Sequence, residues 1–400
     1  MSKSQPVLRV LQVHTRYRQA GGEDEVVAAE RRLLEEAGVE VRQVIFDNAD
    51  LRESESLAGD LRLVASAIWS RSAERRVRAA LRAHRSQVMH VHNTFSAASP
   101  SVYAAASALR IPVVQTLHNY RPICPAATAF RDGHPCTDCL GRSVPWPAVA
   151  HACIRESRAQ SLVVAATITV HRARGTYRRG IAAYLALTEF QRQLMIDGGL
   201  PEGRIRVVTN FLEPDPQLAG DSRAGLIFVG RLALEKGIPL LLEAASLVPG
   251  TVSVAGAGPL VGSAERAHAA GEVTYLGSLA PASVVESLGR AIALVVPSIW
   301  FEGFPLVVIE AFATGTPVIA SRIGSLAELI EDGVTGLLVE PDNARHLAHR
   351  MRWANDHPDE MREMGVNARD AYEARFRGAT HLAALLEAYR SVAGTSVSVR

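Results

Sequence analysis

Residues 7–38 read VLRVLQVHTRYRQAGGEDEVVAAERRLLEEAG, and the reading of this stretch decides the fold. Residues 7–13 (VLRVLQV) form a largely apolar run of strand length. A loop carrying Gly21 and Gly22 follows, and residues 23–37 read as a helix that closes on Gly38. The same order then recurs. Residues 41–46, 88–91, 113–117, 183–187 and 205–208 are short apolar strands, with helical stretches such as 73–83 between them. Continuous apolar strands, rather than alternating ones, predict a parallel sheet covered by helices on both faces.

A second cycle begins after a break. Residues 213–225 (EPDPQLAGDSRAG) hold two prolines and two glycines without periodicity and read as a linker. Residues 226–229, 252–255, 273–276, 293–296, 318–320 and 336–339 are the next strands. The predicted class is therefore α/β, with two Rossmann-like doubly wound domains facing a central cleft. The boundaries expected are 1–212 for the N-terminal domain, with an insertion over 119–155, and 226–375 for the C-terminal domain. A helix and tail over 376–400 is expected to cross back to the N-terminal domain. In such sheets ligands collect beyond the carboxyl ends of the strands.

The 400 residues suit two such domains at roughly 150 residues each. With 48% hydrophobic and 21% charged residues, the chain is neither disordered nor fibrous. A net charge of +2 gives no global argument for nucleic acid. Residues 1–220 hold 28 Lys and Arg against 21 Asp and Glu, and the excess concentrates over 61–206. That section suits a local anionic partner or an inert solvated face. No apolar run reaches the ~18 residues of a membrane span, and the polar start, residues 1–6, does not resemble a secretory leader. The expected location is cytoplasmic.

The second half carries the stronger chemistry. Gly230-Arg231 follows one strand, with Lys236-Gly237 close behind, which offers an anion both a planar fork and a point charge. After the strand ending at Val296 comes Glu302, and then Gly303, Phe304, Pro305 and Leu306, expected to open a helix whose amides face phosphate oxygens. Glu310 is expected two turns along the same face, where it can bind sugar hydroxyls. Each piece alone could be a turn or a helix cap. Together, at two strand ends of one domain, they ask for a ligand with a diphosphate and hydroxyls.

These residues resemble retaining glycosyltransferases of the GT-B fold. The segment from Phe228-Val-Gly-Arg-Leu to Lys236-Gly237 and the Glu302-x7-Glu310 signature carry the likeness, which extends over nearly the whole chain. Gly21-Gly22-Glu23 is similar to the family's N-terminal glycine loop, and His118-Asn119 to the histidine of its acceptor domain. Thr209-Asn210 stands where the family has Pro-Asn, and Gly324-Ser325-Leu326-Ala327-Glu328 where it has Gly-Gly-x-Pro-Glu. The resemblance implies that Arg231 and Lys236 neutralise the donor diphosphate. It implies that the 303–306 backbone holds the sugar and distal phosphate, that Glu302 meets the sugar and that Glu310 meets the ribose. Gly21 and Gly22 would admit the diphosphate closely, and His118 would contact the transferred sugar. The co-substrate implied is a nucleotide-diphosphate sugar, used without a catalytic divalent metal. The reaction implied retains anomeric configuration and builds bacterial polysaccharide or glycolipid.

All four cysteines, Cys124, Cys136, Cys139 and Cys153, fall in one Gly- and Pro-rich loop with spacing Cys-x11-Cys-x2-Cys-x13-Cys. In a cytosolic chain such a cluster reads as a structural zinc site rather than as disulfides, with His134 and His151 as nearby substitutes. Arg71, Arg75, Arg76, Arg78, Arg82 and Arg85 recur on one helix. With the arginines of 155–179 they suggest a peripheral face for anionic lipid and a glycan or lipid-linked acceptor. Residues 162–170 are expected to be a buried helix. A sugar-nucleotide epimerase on the same fold, or a non-catalytic zinc-loop binding protein, is the alternative.

Overall fold

The computed structural model describes residues 7–17, 21–50, 57–216 and 223–394. The polar start at 1–6, residues 217–222 of the expected linker and the tail 395–400 lie outside the described residues. Two compact units result. The first comprises Met1–Thr128, Thr137–Thr209 and His381–Arg400, and the second Ala129–Cys136 and Asn210–Thr380.

In chain order the first sheet uses β1 (Arg9–Arg16), β2 (Glu40–Asp47), β3 (Val88–Val91) and β4 (Val113–Thr116). A two-residue hairpin follows, β5 (Phe130–Arg131) and β6 (His134–Pro135), and then β7 (Ala183–Ala186) and β8 (Ile205–Val207). The sheet order is β2-β1-β3-β4-β7-β8 with every pairing parallel. Its helices are α1 (Gly22–Glu36), α2 (Leu57–Ile68), α3 (Arg71–His84), α4 (Val102–Ser107), α5 (Trp146–Ala150), α6 (Arg158–Ala173), α7 (Thr176–Arg179) and α8 (Glu189–Asp197). Every residue of β3, β4 and β7 is buried, as a sheet covered on both faces requires.

The second sheet uses β9 (Leu226–Val229), β10 (Val252–Ala255), β11 (Val273–Gly277), β12 (Ala293–Val296), β13 (Val318–Ser321) and β14 (Gly336–Val339). Its order is β11-β10-β9-β12-β13-β14, again all parallel. The helices are α9 (Ile238–Ser246), α10 (Val261–Ala269), α11 (Pro281–Arg290), α12 (Leu306–Ala313), α13 (Gly324–Leu329), α14 (Ala344–Asp356) and α15 (Pro358–Arg375). The hairpin β5–β6 counts with this unit, and its Phe130 packs against the unit's apolar core. The last helix, α16 (Gly378–Ala393), sends Leu385, Leu386, Ala388 and Tyr389 into the core of the first unit beside Leu8, Val10 and Val114.

Both sheets follow the doubly wound rule. The chain runs from the middle strand to one edge, returns, and fills the other side. The order therefore reverses between β1 and β3 in the first unit and between β9 and β12 in the second. A crevice opens at such a reversal because consecutive connections leave toward opposite faces.

Candidate active site

In the second unit the loops after β9 and β12 meet at the reversal point. Gly237 makes this approach possible, and Gly256 brings the loop after β10 onto the Gly230 turn. A Cβ on Gly237 (φ +73°) would stand 1.9 Å from the Pro297 carbonyl oxygen, and one on Gly256 (φ +142°) 1.8 Å from that of Gly230. Any other residue would force these loops apart. The Ile299 amide donates to the Glu235 carbonyl at 3.0 Å and locks the two loops in register.

That contact sets Lys236 against Glu302. The ammonium lies 2.8 and 2.9 Å from the two carboxylate oxygens, and Ser298 Oγ donates to Oε1 at 2.6 Å. Glu302 is 4% exposed, so its charge is compensated by an ammonium and a hydroxyl rather than by water. Ser325 Oγ, at the start of α13, donates to the Glu302 carbonyl at 3.0 Å and fixes the backbone on the other side. Arg231 stands apart from this pair. Its side chain is 62% exposed, with Nη1 3.4 Å from the Glu235 carboxylate, so the guanidinium remains open to a ligand.

The helix after Glu302 corrects one expectation. It begins at Leu306, with Pro305 as its N-cap, and Gly303 and Phe304 remain in the loop. A residue before proline is disfavoured in the helical region, in keeping with Phe304 lying outside the helix. Pro305 also has no N–H to give, so the donors available in 303–306 are Gly303, Phe304 and Leu306. Glu302 therefore lies before the helix and Glu310 on its fifth residue. The pair does not share one helical face.

In the first unit the reversal point gathers histidines, of which His14, His90, His92 and His381 are buried and His118 is half-buried. His14 near the end of β1 bonds Asp24 of α1 at 2.8 Å. His90 lies in β3, His92 just beyond it, and His118 two residues beyond β4. His92 Nδ1 meets His118 Nε2 at 3.0 Å, while His92 Nε2 faces Glu30 Oε1 at 3.3 Å. The carboxylate of Glu30, on α1, also takes the Gln12 amide at 2.7 Å and faces His90 Nδ1 at 3.0 Å. From α16, His381 approaches its second oxygen at 3.4 Å, and Tyr389 OH meets His90 Nδ1 at 2.7 Å.

Burial would raise the Glu30 pKa, but His90, His92 and His381 outweigh it and hold the carboxyl well below its usual range. Burial, with the neighbouring histidines, pushes His118 well below its usual value and lowers His92, although Glu30 opposes both shifts. At neutral pH the result is an ionised Glu30 near an uncharged His92 and His118. Glu30 then favours the proton on His92 Nε2, His92 Nδ1 accepts from His118 Nε2, and the Nδ1 lone pair of His118 is left to accept from a hydroxyl. Glu30, His90 and His92 also place three ligand atoms within 4.8 Å of one another, a grouping that could hold a metal ion.

Gly21 caps α1 with an ordinary extended φ of −142°, and nothing lies within 4 Å of where its Cβ would stand. The chain itself therefore does not require glycine there. Gly22 is the exposed first residue of α1. Beside them, burial and Asp24 push the Glu23 carboxyl up to about 8, and burial lowers His14 to about 4.

None of the four cysteines is in a disulfide. Among the described residues they do not form a set of three or more thiols within metal-ligand reach. Cys136 counts with the second unit and the other three with the first. In α6 the expected burial of 162–170 holds on one face. Val164, Ala165 and Ile168 are buried, whereas Leu162 is 57% exposed. On α3, Arg76 is turned onto Phe46 and the Ile45 carbonyl, and Arg78 pairs with Glu74. No described helix is long and apolar enough to cross a membrane. Sequence reasoning gave no role to Ser298 and Ser325 of the second unit, or to His14, Asp24, Glu30 and His381 of the first. Only Glu30 left a trace, as a charge on the otherwise apolar inner face of α1.

Family models, curated proteins and solved structures all match the chain. Residues 21–210 match the family model described as Glycosyl transferase 4-like domain, and residues 213–371 match Glycosyl transferases group 1. The chain is 36% identical over 156 residues to the D-rhamnosyltransferase WbpZ of Pseudomonas aeruginosa, covering 38% of this chain and 40% of that protein. It is likewise 33% identical over 175 residues to a Mycobacterium tuberculosis glycogen synthase, covering 42% of each. It thus spans about two fifths of the length of these curated relatives. Anabaena HepE in complex with UDP superposes with a TM-score of 0.66 at 18% identity, over 96% of this chain and 100% of that one. The fold is GT-B.

Proposed function

We propose that this GT-B chain is a retaining glycosyltransferase that moves a sugar from a nucleotide-diphosphate donor to a hydroxyl acceptor on a glycan or lipid-linked glycan. The observation that carries the reading is the Lys236–Glu302 contact at the β9/β12 reversal, with the open Arg231 beside it. A diphosphate there would meet one ammonium, one guanidinium and the first amides of α12. The bond from the acceptor oxygen to the anomeric carbon forms as the bond to the diphosphate breaks, and the hydroxyl proton passes to the departing phosphate. Lys236 and Arg231 stabilise the charge that develops on that phosphate. Glu302 orients Lys236 and meets the sugar, Glu310 binds the ribose, and Gly230 lets the backbone turn beside the phosphates. In the first unit His118, with Nδ1 as acceptor, receives a sugar hydroxyl, and the bare surface at Gly21-Gly22 leaves room for the donor.

The proposal includes two further parts. The cysteine spacing supports a structural zinc on the 119–155 insertion. That support lies in the sequence and not in the present arrangement of the thiols, so metal analysis of the purified protein decides it, with about one zinc per chain expected. The arginines of 155–179 support a peripheral position at an anionic membrane surface.

The donor site is tested by thermal shift against UDP-, GDP-, ADP- and dTDP-sugars, since a ligand bound to the native state raises the melting temperature. One series is expected to shift it. Arg231→Ala is expected to melt like the wild type, because the side chain is exposed, and to lose turnover by about thirtyfold, or ~2 kcal/mol. Normal turnover in Arg231→Ala and Lys236→Ala would remove the site assignment.

A further inference from the structure

A cavity of about 470 Å³ opens in the first unit between α2 and α6. Its walls are mainly apolar, with Ala67 on α2, Val164 and Ile168 on α6, and Phe95 from the loop after β3. Its volume lies in the range of small-molecule sites. Two basic groups, Arg121 and Arg155, also line it. Arg121 lays its guanidinium 3.8 Å from the centre of the Phe95 ring, and its Nε is buried without a hydrogen-bond partner. Arg155 is exposed. The cavity adjoins the small pocket that contains His92 and His118, and the two share Thr94, Arg121 and Tyr177 as walls.

An apolar chamber, a cationic shoulder and a polar pocket thus follow one another. A purely hydrophilic glycan would leave the chamber's apolar wall uncovered, and a neutral lipid would leave the buried Arg121 Nε without an acceptor and the exposed Arg155 without an anion, although Arg121 already donates to the Pro125 carbonyl. We infer that this cavity is an acceptor subsite for an anionic amphiphile, with the hydrocarbon between α2 and α6, the acidic head at Arg121 and Arg155, and the reacting hydroxyl directed to His118. The inference rests on the transferase reading only for the role of that hydroxyl.

Binding of n-alkyl phosphates from butyl to decyl, measured by calorimetry below their micelle concentrations, tests it on the intact chain. Affinity is expected to rise by about fourfold per methylene until the cavity is filled. Octyl glucoside, which lacks the acidic head, is expected to bind at least tenfold more weakly than octyl phosphate. Ala67→Trp, which fills the chamber, should weaken decyl phosphate at least tenfold and leave butyl phosphate nearly unchanged. Val163→Phe, on α6 in the opposite wall of the cavity, serves if Ala67→Trp melts abnormally. A flat chain-length series, or a decyl affinity untouched by both substitutions, would overturn the subsite. The donor panel separates the two readings. A nucleotide shift with a flat alkyl series rejects the subsite alone. A steep alkyl series without any nucleotide shift rejects its role in sugar transfer.

Discussion

Glu30 is 1% exposed and yet faces four polar side chains, from Gln12, His90, His92 and His381. Removing its charge leaves these groups facing a weaker acceptor in a place water does not reach. Glu30→Gln is therefore expected to lower unfolding free energy by about 1.5–3 kcal/mol, the value of a charge-assisted bond, in urea denaturation. Glu23 gives a pH signature of its own. Its folded pKa of about 8 is above the value of 4.5 for a free carboxyl. Its protonated form therefore favours the folded state fully below pH 4.5, and that contribution fades as pH rises through about 8. The loss is at most about 5 kcal/mol. Glu23→Gln keeps the neutral shape, so its melting temperature relative to the wild type should climb between pH 4.5 and 8 and then level off. A constant difference across that range would show that Glu23 ionises normally. The acidic side has the opposite sign. His14, depressed to about 4, contributes stability that is complete above pH 6.5 and is lost as pH falls toward 4.

Among the elements, the strand-end loops depend on what their glycines allow. Gly256 lets the loop after β10 lie directly on the Gly230 turn, and that turn leads to Arg231. Gly256→Ala puts a methyl group into the Gly230 carbonyl at a φ that L-residues rarely adopt, so a loss of about 2–4 kcal/mol is expected in thermal unfolding. Donor binding should weaken with it, because the displaced turn carries Arg231. A variant that melts and binds like the wild type would show the loop to be freely adjustable. The elements also show where sequence patterns fall short. Most strands lie where their apolar runs predict, since a strand buried on both faces has little freedom in composition. The hairpin β5–β6 and the start of α12 were not legible. The first is two residues per strand, too short for any period, and the second is decided by a proline that excludes its neighbour from the helix.

For the whole molecule, the chain's last helix matters most. Leu385, Leu386 and Tyr389 of α16 complete the core of the first unit, and Tyr389 and His381 reach its histidine cluster. Truncation after Thr380 would expose Leu8, Val10 and Val114 on that side and remove the Tyr389 partner of His90. The first unit is expected to lose its cooperative melting while the second, whose core holds no residue of 381–400, keeps its own. A truncated protein with an unchanged melting profile would show that α16 adds no stability.

The sequence by itself determined the α/β class, the doubly wound repetition in each half and the identity of the charged residues at the second unit's strand ends. These follow from local pattern, because strand burial and glycine turns are written in consecutive residues. Tertiary structure alone decided that Lys236 is paired with Glu302, that Ser298 and Ser325 hold Glu302 in place, and that Glu30 joins His90, His92 and His381. Those partners come from separate strands and helices. Their meeting depends on sheet order and on the close approach of backbones, which no short window of sequence contains.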